Sequence, residues 1–180
     1  MKVTRQDLFT PANAVSLIGL ILTIYGSFNL SSISGVLLLG LGRFIDIFDG
    51  KIARATHTSD FGAMLDATCD KIGIAVLVPA VWLADIAPVW LLVYILVQNI
   101  LNVIFSLIAV NKGGAVSSSK AGKYAMFLQN ISLGGYALAS VTPLDFFAVI
   151  GLILGIASIY WAIKATSGYY GLLKKHAQSH

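Results

Sequence analysis

Charge is scarce in this 180-residue chain. Asp, Glu, Lys and Arg make up 11% of it, against about 25% in an ordinary soluble domain. Glutamate is absent, so all eight acids are aspartates, at positions 7, 46, 49, 60, 66, 70, 85 and 145. Cysteine occurs once, as Cys69, which excludes an intrachain disulfide and any cysteine-based metal cluster and leaves a small helix-packing residue. Long polar stretches are missing as well. With 57% hydrophobic residues and a mean hydropathy of +0.84, the chain is too apolar for disorder. A soluble fold of this composition would expose a large apolar surface to water. No segment interleaves exposed basic residues with aromatic platforms, so nucleic acid is not an expected partner. The first twelve residues are too polar for a cleavable signal peptide, and the first apolar run reads as a retained span.

What is present is a series of apolar runs. A membrane-crossing helix needs roughly 20 such residues, so the length has room for about six or seven. Continuous runs, rather than the alternation of an outer-membrane barrel, predict helices. Six are expected, over residues 14–28, 33–55, 61–84, 88–110, 121–141 and 144–172, joined by short turns. The expected architecture is an all-α integral membrane protein of one domain over residues 1–180. It has a short interfacial segment at 1–13, a six-helix core at 14–172 and a polar tail at 173–180. Lys2 and Arg5 precede span 1, and Lys51 and Arg54 end span 2. Lys112, Lys120 and Lys123 flank the 4–5 connection, and Lys174 and Lys175 follow span 6. The other three connections carry no Lys or Arg. This alternation places both termini in the cytoplasm and turns the net charge of +4 toward the anionic leaflet. Trp82, Trp90 and Tyr94 fall where interfacial anchors sit, and Asp85 and Asp145 fall in solvated outside turns.

Intramembrane charge is rare and usually functional, and five of the eight aspartates lie between positions 46 and 70. Asp46, Asp49, Gly50, Ala53 and Arg54 follow i, i+3, i+4, i+7, i+8 spacing, which puts them on one helix face. Asp66 and Asp70 are i, i+4 on the next helix, with Gly62 one turn earlier. The 56–60 turn is short, so four carboxylates converge at one depth near the cytoplasmic surface. Unpaired, they cannot share a low-dielectric pocket: pKa values rise or cations join them. Arg43, Lys51, Arg54 and Lys71 offer one neutralising set, within a purely structural network. A hard divalent cation offers another, and Mg²⁺ prefers oxygen ligands completed by substrate phosphates. Two such ions suit phosphoryl chemistry. The small residues Gly50, Ala53 and Gly62 leave room for a ligand against the backbone, or serve close helix packing.

The pattern Asp46-x-x-Asp49-Gly50-x-x-Ala53-Arg54, seven residues, then Gly62-x-x-x-Asp66-x-x-x-Asp70 resembles the signature of the CDP-alcohol phosphotransferases. These are phospholipid synthases with six transmembrane helices. All eight fixed positions are present. The resemblance implies that Asp46, Asp49, Asp66 and Asp70 bind Mg²⁺ or Mn²⁺, as two ions. It implies that Asp70 is the general base, taking the proton of an acceptor alcohol whose oxygen attacks the lipid-side phosphorus of CDP-diacylglycerol, with CMP leaving. It also implies that Asp49, Gly50, Ala53, Arg54 and Gly62 line the nucleotide site. The guanidinium fork of Arg54 suits phosphate oxygens.

The acceptor is expected to be phosphorylated. Lys120 and Lys123, followed by Gln129, resemble the Gly-Lys…Gln segment of phosphatidylglycerophosphate synthases and related cardiolipin synthases, which makes glycerol 3-phosphate the first expectation. Leu65-Asp66-Ala67-Thr68-Cys69-Asp70 is more similar to the inositol phosphate synthases of the family, and Gly19 stands where phosphatidylglycerophosphate synthases usually carry Arg. No Arg follows Arg54, and Lys164 is the remaining cation that can replace one. Inositol, serine and phosphatidylglycerol are the other acceptors weighed. The resemblance further implies a homodimer in the bacterial inner membrane with its site facing the cytoplasm. A cation transporter is the competing class, because intramembrane Asp also lines ion pathways. The clustering of the carboxylates at one depth, rather than across the bilayer, favours chemistry on a lipid headgroup.

Overall fold

The computed structural model describes residues 10–55, 60–111 and 120–178, with side chains outside the description at 47–55, 60, 63, 106, 109–111 and 169–178. The described residues form six α-helices and no strand. They are α1 (Pro11–Ser27), α2 (Ile33–Ala55), α3 (Asp60–Leu83), α4 (Val89–Asn111), α5 (Lys120–Val141) and α6 (Phe146–Gln178). Each expected helix is present, and two ends differ by three residues or more. α1 starts three residues early, because Pro11 occupies its first turn and the Thr10 hydroxyl accepts from the Asn13 amide at 3.1 Å; Pro tolerates N1 and Thr caps the free N–H groups. Residues 10–13 are therefore cap and helix, with Asn13 buried, and the rest of the expected interfacial segment lies outside the described residues. α6 continues to Gln178, six residues past the expected end, because no Gly or Pro follows Gly171 to stop it.

The turns are capped locally. Ser32 accepts from the Gly35 amide at 3.0 Å, starting α2. α3 ends at Leu83, and two residues on Asp85 has a φ of 52°, the left-handed conformation that turns the chain out of a helix and that Asp tolerates. Asp85 and Asp145 are both exposed.

The helices group into two compact units, one holding α1, α2 and α3, the other α4, α5 and α6. In the first, α1 packs on both α2 and α3. Gly42 makes the α1–α2 crossing close: a Cβ there would lie 2.6 Å from the Gly19 carbonyl oxygen and 2.8 Å from the Thr23 amide nitrogen. In the second, Leu91, Leu92, Ile95 and Leu133 are fully buried. There the Ser132 hydroxyl donates to the Gly151 carbonyl at 2.6 Å, which ties α5 to α6.

The polarity of two helices is inverted relative to a soluble fold. The buried residues of α1 are Ala12, Asn13, Ser16, Gly19, Thr23, Gly26 and Ser27, while Leu17, Ile18, Ile21 and Tyr25 are exposed. In α6 the exposed set is Phe146, Val149, Ile153, Ile156, Tyr160 and Ile163, a stripe at helical spacing. Small residues inside and large apolar residues outside fit packing within lipid. Among the described residues, one helix meets both the length and the apolarity needed to cross a membrane, over Phe146–Gly168 at mean hydropathy 2.3. Pro11–Ser27 and Val89–Phe105 are apolar but shorter. α2 and α3 carry the aspartates and their basic neighbours, and α5 opens on Lys120 and Lys123. The six-span expectation is thus met in helix number, with one helix that qualifies on length and composition alone.

Candidate functional site

The site is assembled around a cation that the motif does not include. Arg43 lies on α2 one turn before Asp46, and its Nη1 donates to the Asp46 carboxylate at 3.2 Å. The same nitrogen lies 3.6 Å from an oxygen of Asp70 on α3. One guanidinium nitrogen therefore joins the first and last aspartates of the motif, which are 24 positions apart in the chain. Asp66 precedes Asp70 by one helical turn and is half-buried. Side-chain exposure separates the three charges: 13% for Arg43, 15% for Asp46 and 37% for Asp70. Of the two carboxylates paired with Arg43, Asp70 is the more accessible and Asp46 the more enclosed.

Two glycines make space for these side chains. A Cβ at Gly19 would meet the other Asp46 carboxylate oxygen, Oδ1, at 2.6 Å. The bare backbone of α1 thus forms a wall for Asp46. A Cβ at Gly73 would lie 2.5 Å from Nη2 of Arg43, so the guanidinium rests on α3 where a side chain is missing. Nε and Nη2 of Arg43 are buried and have no hydrogen-bond partner among the described residues. Of the other bases considered for neutralisation, Lys71 is exposed and forms no ion pair with a described residue.

The remaining predicted site residues divide by what the structure describes. Gly62 is half-buried on the first turn of α3. α2 is unbroken to Ala55, so Asp49, Gly50, Ala53 and Arg54 keep their helical spacing from Asp46; their side chains, and that of Lys51, lie outside the described residues, as does His57. Lys120 and Lys123 are exposed on the first turn of α5. Among the described residues no group of three His, Cys, Asp or Glu side chains is close enough to hold a metal ion. The donor chemistry nevertheless fits one: carboxylate oxygens from two helices, beside which Gly19 places no side chain.

Two residues have other surroundings than expected. Tyr94, read as an interfacial anchor, points its hydroxyl inward, 3.1 Å from the Ser158 hydroxyl and 3.3 Å from the Gln129 amide nitrogen. Trp82 and Trp90 are about half exposed, as anchors are. Gln129, grouped with the lysines at the head of α5, is fully buried. Its amide nitrogen donates to Tyr94 and its oxygen accepts from Asn99 at 3.1 Å, so both ends are occupied within the second unit. Lys164 lies 5.2 Å over the Trp161 ring, a cation–π position. Sequence reasoning named Arg43 only as one of four nearby bases and missed Gly73. The usable signal for Arg43 was its i, i+3 relation to Asp46.

Comparison with known proteins bears on the same residues. A family model described as CDP-alcohol phosphatidyltransferase matches residues 7–164. An archaetidylinositol phosphate synthase of Pyrococcus horikoshii is 34% identical over 76 residues, 40% of each chain. A probable phosphatidylglycerophosphate synthase of Mycobacterium tuberculosis is 36% identical over 108 residues, 58% of this chain and 50% of the relative. The chain thus spans half or less of the length of these curated relatives. In fold it is similar to the M. tuberculosis phosphatidylinositol phosphate synthase. The apo structure has a TM-score of 0.63 at 19% identity, covering 91% of this chain and 90% of that one. The same enzyme has been solved with CDP-DAG (TM-score 0.60) and with manganese and citrate (0.62). With the family model spanning most of its length and the complete aspartate signature inside the match, the chain belongs to the CDP-alcohol phosphatidyltransferase family.

Proposed function

We propose that this protein is a membrane transferase that moves a phosphatidyl group from CDP-diacylglycerol to a phosphorylated polar alcohol and releases CMP. The observation that carries the reading is the Arg43 bridge, which puts Asp46 and Asp70 of the signature on one guanidinium nitrogen from two helices.

Asp70 acts as the general base. Its side chain is more exposed than that of Asp46, as needed by a group that must meet an acceptor hydroxyl and later pass on the proton. It takes that proton as the alcohol oxygen forms a bond to the lipid-side phosphorus. The bond from that phosphorus to the oxygen of CMP breaks, and CMP departs with the electron pair. Asp46, Asp49, Asp66 and Asp70 would hold the divalent cations, Mg²⁺ or Mn²⁺ and two in number. When bound, these supply charge neutralisation for the pyrophosphate. Asp49, Gly50, Ala53, Arg54 and Gly62 line the nucleotide side, with Arg54 on phosphate oxygens. Lys120 and Lys123 attract the phosphate of the acceptor.

Glycerol 3-phosphate is the acceptor proposed first, on the lysine pair and the name of the M. tuberculosis relative. Inositol phosphate is the second reading. It is favoured by the crowding at Gly19, where Asp46 Oδ1 leaves no room for the Arg usual in phosphatidylglycerophosphate synthases, and by the name of the P. horikoshii relative. The inverted polarity of α1 and α6 supports an arrangement of six spans. In this proposal both termini and the site face the cytoplasm of a bacterial inner membrane, the chain acts as a single domain, and two copies form a homodimer. The deciding experiment supplies purified protein with Mg²⁺ or Mn²⁺, with CDP-diacylglycerol or an ether-linked CDP-lipid, and with a panel of acceptors. The panel holds glycerol 3-phosphate, inositol phosphate, inositol, serine and phosphatidylglycerol. CMP release with one acceptor names it; no release with any acceptor ends the transferase reading.

A further inference from the structure

Arg43 stands outside the eight signature positions, yet it forms ion pairs with both Asp46 and Asp70 of the signature. Three observations separate it from a residue that merely closes a helix contact. Its guanidinium is enclosed, with a side-chain exposure of 13%. Burying a cation is costly unless it is paired, and here the partners are an enclosed carboxylate on its own helix and the accessible Asp70 on the next. Its seat is built, since Gly73 lacks the side chain that would displace Nη2. Finally, its contacts are uneven. Nη1 serves two carboxylates while the buried Nε and Nη2 have no hydrogen-bond partner among the described residues. Arg–carboxylate pairs are frequently bidentate, whereas here one nitrogen is shared between two carboxylates.

We propose that Arg43 is a positioning residue of the carboxylate site. It holds the Asp70 carboxylate in line for the acceptor hydroxyl, and it limits divalent-cation affinity by placing a fixed positive charge beside Asp46. The proposal rests on the transferase reading for the role of Asp70. Its electrostatic half does not. A unit charge beside the ligand oxygens repels an incoming dication, so neutralising it tightens binding, while freeing Asp70 from its anchor lets the base drift. A displacement of about 1 Å in a catalytic group costs roughly 100-fold in rate.

The test uses the purified full chain in nanodiscs, as wild type, Arg43→Gln, Arg43→Lys and Gly73→Ala, each with a thermal melt. Mn²⁺ is titrated against each protein, following the spectroscopic signal of the free ion. Then kcat, and KM for CDP-diacylglycerol, are measured by CMP release. Arg43→Gln is expected to bind Mn²⁺ at least about threefold tighter than wild type, with kcat lower by roughly 100-fold and KM within about twofold of wild type. Arg43→Lys keeps the charge without the fork, so its Mn²⁺ affinity stays near wild type and its kcat falls between the two. Gly73→Ala moves the guanidinium without removing it and lowers kcat with the melt preserved. A wild-type kcat in Arg43→Gln overturns the proposal, as does weaker Mn²⁺ binding in that variant. If Arg43→Gln does not fold, the Lys and Ala variants decide: wild-type kcat in both overturns it. If wild-type protein releases no CMP from any CDP-lipid, the transferase reading is what fails. The Mn²⁺ titration then still decides whether Arg43 limits cation binding.

Discussion

In the unit built on α1, α2 and α3, a half-buried polar cluster carries charge: a guanidinium between carboxylates of two helices, with glycines standing where side chains would crowd them. In the unit built on α4, α5 and α6, the buried polar groups among the described residues are neutral. Gln129 bonds Asn99 and Tyr94, Tyr94 bonds Ser158, and the Ser158 hydroxyl donates to the Gly155 carbonyl at 2.6 Å. The two clusters solve different problems. An amide and hydroxyl chain can satisfy its donors and acceptors internally and so fixes helix packing without inviting a ligand. Carboxylates gathered from two helices set up a local field that a cation or a cationic transition state can use. The same contrast explains why the reactive cluster keeps a 37%-exposed member in Asp70, whereas Gln129 is sealed.

This comparison breaks if damage to the charged cluster spares turnover, and the largest effect expected is from Asp70→Asn. It keeps the shape and removes the base, so kcat should fall by about 10³-fold or more while the thermal melt and CDP-lipid binding stay near wild type. Retained CMP release would take the base role from Asp70. Chelating divalent cations should stop turnover reversibly, with activity restored by Mg²⁺ or Mn²⁺ and the helical content unchanged. Activity that persists in excess chelator would leave the carboxylates with a structural role. Next comes Gly19→Ala. The added methyl meets Asp46 Oδ1, so Mn²⁺ affinity should weaken by about tenfold, the lower end of what displaced ligand support costs; unchanged affinity would remove Asp46 from the ligand set.

The smaller effects sharpen the contrast from the neutral side. Lys123→Ala should raise KM for a phosphorylated acceptor severalfold with kcat little changed, as expected for loss of uniform binding. An unchanged KM would point to another acceptor pocket. Gln129→Leu should cost about 1–2 kcal/mol in stability by stranding Asn99 and Tyr94, with kcat preserved. A lost kcat with an unchanged melt would show that the neutral cluster takes part in turnover.

Much of this molecule was readable before any fold was built. The helix positions were legible because apolar runs of membrane-scale length are bounded by Asn, Ser, Pro and Gly turns; the ends of α2 and α5 agree within one residue of expectation. At the start of α1 a cap decided: Thr10 and Pro11 begin the helix early, a local detail that a hydropathy run does not weigh. The motif positions were equally legible, since i, i+3 and i, i+4 spacings on a helix fix which residues share a face. Tyr94 and Gln129 were misplaced because aromatic and amide side chains serve interface and core alike. Only the packing of α4, α5 and α6 turns them inward.

The sequence by itself determined that the chain is helical and strongly apolar, and that four aspartates recur at helical spacing, because these are properties of neighbours along one chain. Tertiary structure alone decided that Arg43 reaches Asp70, that the backbone at Gly19 walls Asp46, and that Gly73 seats the guanidinium. Each of these joins residues 27 or more positions apart, and no periodicity within a single helix encodes how another helix packs against it.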